Sequence, residues 1–143
     1  MSMDGLDDAT IREILTNTRR VAVVGASSKP YRPSNGVLAF LVRRGYDVTP
    51  VNPGCAGQQI HGRTAVASLA EAAPLDMVDV FRNSAYVAPV VDEAIRLGAK
   101  TVWMQLGVID QQAADKARRA GITVVMDRCP AIEAPRLGLL AHH

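Results

Sequence analysis

"VVGASSKPYRPSNG", residues 23–36, leaves an apolar run at a glycine, then passes three serines, two prolines, a lysine and an arginine before a second glycine. An apolar run that stops at glycine reads as a buried strand making a sharp turn, since glycine takes positive φ without steric cost. Ser34 is a good N-cap, and the helix it predicts has the apolar face Val37, Leu38, Leu41 and Val42 and stops at Gly45. Strand, glycine-led loop and helix form the first half of a βαβ unit, and that order argues for an α/β fold.

The rest of the chain repeats the alternation. A helix over Asp7 to Thr18, with acids in its first turn, leads into strand one, Arg20 to Val24. Strand two is Asp47 to Val51, "NPGCAGQQIHG" reads as a loop, and "SLAE" is a capping box opening a short helical turn. Strand three is "DMVDVF", followed by a helix from Ser84 to Leu97; strand four is "TVWMQ", followed by a helix from Asp110 to Ala120. Strand five, "ITVVM", precedes a proline-containing tail that ends in His142 and His143. No repeat or linker divides the 143 residues, so one domain is expected, with its core over about residues 20–130. Right-handed crossovers then give a doubly wound, five-stranded parallel sheet.

Composition narrows the function classes. Hydrophobic residues make up 48% and charged ones 21%, an ordinary globular balance, and the apolar runs are strand-sized. Two cysteines without a CxxC, and no His/Cys cluster, argue against a metal and for a reducing, cytoplasmic setting. The net charge of +2 says little, and neither nucleic acid nor membrane is expected as a partner. Seven basic residues nevertheless fall between Ile14 and Ala70 against the single acid Asp47, so the first half of the chain is placed to attract a small anion. A protein partner or homo-oligomer stays open.

In an open α/β sheet, ligands bind beyond the carboxyl ends of the strands. The candidate segments are Gly25 to Gly36, Asn52 to Gly57, Phe81 to Ser84, Gln105 to Val108 and Asp127 to Pro130. In the first, Gly25 and Ala26 allow close approach, Ser27 and Ser28 carry hydroxyls, and Lys29 and Arg32 add charge. Ser34 and Asn35 stand at a helix N-terminus, whose N–H groups and dipole favour phosphate. A diphosphate suits this loop. A nicotinamide dinucleotide does not, because the second and third glycines of GxGxxG are absent and no acid lies between Val48 and Ala70 to hold a ribose. A Walker A sequence is also absent.

The series "VGASSKPYRPSNGV", "YDVTPVNPG", "DMVDVFRNS", "VWMQLG" and "VVMDRCP" resembles the small single-domain coenzyme A-binding proteins, which are similar to the N-terminal domain of the succinyl-CoA synthetase α subunit. The resemblance covers Val21 to Pro130 and implies a Rossmann-like fold with CoA or acyl-CoA lying across the strand ends. It implies that Gly25, Ala26, Ser27, Ser28, Ser34 and Asn35 hold the diphosphate, with Lys29 and Arg32 beside it. Val51, Asn52 and Pro53 would lie by the adenosine, and Phe81 and Arg82 would flank the nucleotide or pantetheine. Cys55 stands where related domains often have a lysine, so another basic residue must meet the 3′-phosphate. Cys129 would lie near the pantetheine thiol, with Arg128 a candidate for activating it.

Nothing in the chain assembles a catalytic set. His61 stands alone, no GxSxG occurs, and Asp76 and Asp79 belong to an apolar run. The expected function is a non-catalytic CoA-binding or regulatory module. An NAD(P)-binding oxidoreductase and a CoA-handling subunit of a larger acyl-CoA enzyme are the alternatives.

Overall fold

The computed structural model describes residues 2–139 and 141; His142 and His143, read as a tail, lie outside the described residues. In chain order the elements are α1 (Asp8–Asn17), β1 (Arg20–Val24), α2 (Pro33–Arg43), β2 (Asp47–Val51), β3 (Gln59–Ile60), β4 (Arg63–Thr64) and β5 (Met77–Val80). They continue as α3 (Val87–Arg96), β6 (Thr101–Met104), α4 (Gln111–Arg119), β7 (Thr123–Met126) and α5 (Pro130–Arg136).

Five strands pair in the order β2-β1-β5-β6-β7, all parallel, as the doubly wound Rossmann-like reading requires. Side chains alternate across the sheet, and both faces are covered, which is why the strands read as nearly unbroken apolar runs. Val21, Val23, Val48, Met77, Trp103 and Val125 pack with Ile11 and Leu15 of α1, Leu38 and Leu41 of α2 and Ala134 of α5. Ala22, Val78, Val80, Val102, Met104, Val124 and Met126 pack with Val87 and Val91 of α3 and Ala114 and Ala117 of α4. Each large side chain removed from water in these layers contributes about 1.5–3 kcal/mol. Trp103 is fully buried, and its indole N–H donates to the Arg128 carbonyl at 2.8 Å, so its one polar atom is satisfied.

Caps set the helix starts. Asp7 accepts from the Thr10 N–H at 2.9 Å, and Asp110 from the Ala113 N–H at 3.0 Å. Three local expectations change. The N-cap of α2 is Arg32, not Ser34, because Pro33 occupies the first helical position, where its missing N–H costs nothing. The "NPGCAGQQIHG" segment is not all loop: β3 and β4 form a hairpin whose turn residues His61 and Gly62 have φ of 48° and 80°. Two positive φ values in succession are the hairpin-closing pattern, although His-Gly is not one of its usual pairs. The proline-containing tail folds as α5, with Pro130 leading it and Ala134 buried.

β1 sits between β2 and β5, so the strand order reverses there and a crevice opens between the β1 and β5 carboxyl ends. Gly25 lines it at φ 85°, so close to the next strand that a β-carbon would stand 2.4 Å from the Phe81 carbonyl oxygen. No helix among the described residues is long and apolar enough to cross a membrane.

Candidate functional site

The loop after β1 is tied down by two asparagines. Asn52 Nδ2 donates to the Ala26 carbonyl at 2.8 Å, while Asn52 Oδ1 accepts from the Gly54 N–H at 3.0 Å. Asn35 Nδ2 donates to the Ser27 carbonyl at 3.0 Å, and Asn35 Oδ1 lies 2.8 Å from Nε2 of His61. In a trans peptide the C=O and N–H point in opposite directions. With the Ala26 and Ser27 carbonyls engaged by Asn52 and Asn35, the Ser27 and Ser28 N–H groups point away from those two amides. Successive N–H groups aimed one way form an anion-binding concavity. The Ser27 hydroxyl accepts from the Lys29 N–H at 3.1 Å, and its own proton remains to be donated.

In front of this loop lies a cavity of about 700 Å³, within the range of small-molecule sites. Of the expected residues it is lined by Gly25, Ala26, Ser27, Ser28, Lys29, Arg32, Ser34, Asn52, Phe81, Arg82 and Cys129. A groove of about 200 Å³ shares Gly25, Asn52 and Arg82 with it and adds Val51 and Pro53. Asn35 lines neither: its side chain is spent on Ser27 and His61, and its N–H donates to the Arg32 carbonyl at 3.0 Å. The Asn35 side chain thus meets the loop and His61 rather than the cavity. Pro33 likewise brings no N–H to the helix start.

The cavity wall is positive. Lys29, Arg32 and Arg82 are exposed, none is in an ion pair among the described residues, and no carboxylate lines the cavity. Arg82 stacks over Tyr86 at 5.5 Å and Arg32 over Tyr31 at 5.8 Å, which holds each guanidinium without neutralising it. Glu93 lines the smaller groove, with its carboxylate 2.7 Å from Arg96.

The far end is apolar and cysteine-lined, with Leu106, Val108 and Cys129. Arg128 does not serve Cys129 as anticipated. Its guanidinium is committed to Asp4 at 2.9 Å, Glu133 at 3.1 Å and the Leu6 carbonyl at 2.8 Å. Cys55 shares the same cavity, and burial pushes its thiol up. Beside the cavity, Asp79 is 0% exposed, and burial pushes its carboxyl well above the usual carboxylate range. With its amide nitrogen turned toward Asp79, Gln105 donates to both carboxyl oxygens, at 2.8 and 3.2 Å. Gln105 itself lines the cavity.

Sequence reasoning put Cys55 and Gln105 in candidate segments without giving either side chain a binding role, and it dismissed Asp79. An acid at the centre of "MVDVF" was the available signal, since a strand buried on both faces has no cheap place for it. Among the described residues, no three His, Cys, Asp or Glu side chains gather as a metal-ligand set.

YneT of Bacillus subtilis (strain 168) is 38% identical over 128 residues, covering 89% of this chain and 93% of YneT. A solved hypothetical protein from Pyrococcus horikoshii OT3 superposes with a TM-score of 0.89 at 40% identity, covering 96% of each chain. The α subunit of an ADP-forming acetate–CoA ligase from Pyrococcus furiosus is 29% identical, over 79% of this chain and 28% of that subunit. The sequence profile of the CoA binding domain matches residues 19–135, and with most of the chain so covered, this protein belongs to that family.

Proposed function

We propose that the protein binds coenzyme A, free or acylated, across the strand ends and acts as a cytoplasmic, non-catalytic binding module. The observation that carries this reading is the loop itself: two carbonyls bonded by Asn35 and Asn52, two N–H groups on the opposite side of those peptides, and three cations outside any ion pair among the described residues around a cavity without acids. The diphosphate lies on Ser27, Ser28 and Ser34, with Lys29 and Arg32 beside it. The adenosine occupies the groove of Val51, Asn52 and Pro53, and the pantetheine runs past Phe81 toward Cys129. Arg82 lines both spaces and is the cation for the 3′-phosphate.

CoA at a hundredfold excess over its dissociation constant is expected to add about 2.7 kcal/mol of stability. For a chain of this size that is a rise in Tm of roughly 6–10 °C. NAD should give no such shift, because the one carboxylate of the groove, Glu93, is already bound to Arg96. Equal shifts with both, or one with NAD alone, would overturn the reading.

Charge gives a second test. A charged hydrogen bond contributes roughly 1.5–3 kcal/mol, so Lys29→Ala and Arg32→Ala should each weaken CoA binding about tenfold to a hundredfold in calorimetry at fixed salt. Arg82→Ala should also abolish the preference for CoA over dephospho-CoA, while Arg43→Ala, at the far end of α2, should change neither value. Unaltered affinity in all three site variants would leave the backbone donors as the whole anion site.

The similarity to a ligase α subunit favours one further reading, a CoA-handling module of a larger acyl-CoA enzyme. A second subunit retained through native purification would distinguish it.

A further inference from the structure

Between His61 and the anion loop runs a hydrogen-bonded relay that crosses from one supersecondary unit to another. His61 belongs to the β3–β4 hairpin, and Asn35 belongs to the first turn of α2. The amide of Asn35 has two orientations, and only one lets Nδ2 donate to the Ser27 carbonyl at 3.0 Å. That orientation turns Oδ1 toward His61 Nε2 at 2.8 Å. A carbonyl oxygen only accepts, so the imidazole must carry its proton on Nε2. The opposite orientation would set Oδ1 against the Ser27 carbonyl, acceptor against acceptor. The Nε2–H of His61 thus adds a second hydrogen bond to the amide orientation that engages the loop carbonyl.

The backbone points the same way. His61 has φ 48°, a left-handed conformation that costs a residue with a β-carbon more than it costs glycine. Two-residue strands are too short to stabilise the hairpin alone. The bond to Asn35 is a side-chain tie between its tip and the domain, offsetting part of that strain.

We propose that His61 is a positioning residue for anion recognition: its Nε2–H fixes the Asn35 amide, which holds the Ser27–Ser28 peptide with its N–H toward the phosphate. The ligand rests on the CoA reading above, but the relay does not. Each bond in it polarises the next, so a proton donor at His61 also strengthens the Ser28 N–H as a donor.

The test uses the full chain, with His61→Ala and His61→Gln, whose amide also carries an N–H donor. Loss of one such bond should weaken CoA and ADP alike by about threefold to tenfold in His61→Ala. Adenosine 3′-monophosphate, which has no diphosphate, should bind all forms equally, and His61→Gln should recover most of the loss. Inorganic pyrophosphate, followed by the Ser28 amide resonance, should shift wild type more readily than His61→Ala. Unchanged CoA affinity in His61→Ala, an equal loss with the diphosphate-free nucleotide, failure of glutamine to rescue, or a wild-type Ser28 resonance indifferent to pyrophosphate would each overturn the proposal. If pyrophosphate behaves as stated and CoA does not bind, the CoA reading falls and the role of His61 stands.

Discussion

Gly25→Ala is expected to lower Tm by about 10–20 °C and to abolish ligand binding. Two costs add at this position. The residue sits at φ 85°, and its β-carbon would stand 2.4 Å from the Phe81 carbonyl oxygen and 3.0 Å from the carbonyl carbon, both backbone atoms that cannot rotate away. Strain and overpacking together amount to about 3–5 kcal/mol. Relief requires β1 and β5 to part at their carboxyl ends, where the anion loop begins. Gly98→Ala is the control: its φ is 75°, yet nothing lies within 4 Å of the added carbon, so only the conformational cost of about 1 kcal/mol applies. Thermal denaturation of both variants, with calorimetry for binding, decides the matter. Equal losses would mean that backbone conformation alone, and not the approach to Phe81, constrains Gly25.

Asp79→Asn should stabilise the protein at neutral pH, by an amount that grows with pH. The carboxyl is fully buried, and its folded-state pKa is raised above the unfolded value by burial. The native chain therefore holds a proton that the unfolded chain releases above about pH 4. Stability from this group is complete below that pH and is lost as pH rises toward the folded-state pKa, at about 1.4 kcal/mol per pH unit. Asparagine has no proton to lose, and its side-chain oxygen can accept from Gln105. Urea denaturation of the two proteins from about pH 4 to about pH 8 cancels every other carboxylate in the difference. Curves that coincide in acid and separate as pH rises support the argument; a variant less stable than wild type at neutral pH would show that the ionised carboxylate is compensated.

The legible parts of the fold were those that rest on local patterns. Val21 to Val24 is apolar without interruption, and Met77 to Val80 is broken only by Asp79, because both faces of the sheet are covered, and Asp7, Asp110 and "SLAE" announce helix starts through their own side chains. The parallel direction of the five strands follows from the strand–helix alternation and the handedness of crossovers, which need no side-chain detail, whereas their order was first given by the structure. The β3–β4 hairpin was not legible: two residues per strand carry no periodicity, and the His-Gly turn is held partly by Asn35, a residue distant in the chain. α5 was hidden by Pro130 and Pro135, since composition alone cannot tell a proline that starts a helix from one that breaks it.

For the candidate site, glycine, serine and cation positions could be chosen by chemistry alone. The bonding of Asn35 and Asn52 could not, because an asparagine beside such a loop reads as a ligand until its amide is seen bonded to a loop carbonyl. Arg128 illustrates the converse. Adjacency to Cys129 suggested a local electrostatic effect, yet successive side chains diverge, and the guanidinium is drawn to Asp4 near the other end of the chain.

The wall of the cavity is gathered from Gly25 through Cys129, across nearly the whole folded chain. A partly unfolded form that has lost either sheet edge does not retain it, so a ligand filling the cavity favours the folded molecule. Cellular proteolysis draws on the unfolded population, and such a ligand reduces that population by the factor 1 + [L]/Kd. The lifetime of the protein in the cell would then follow the supply of its own ligand, and its abundance would report on that supply without a separate sensor.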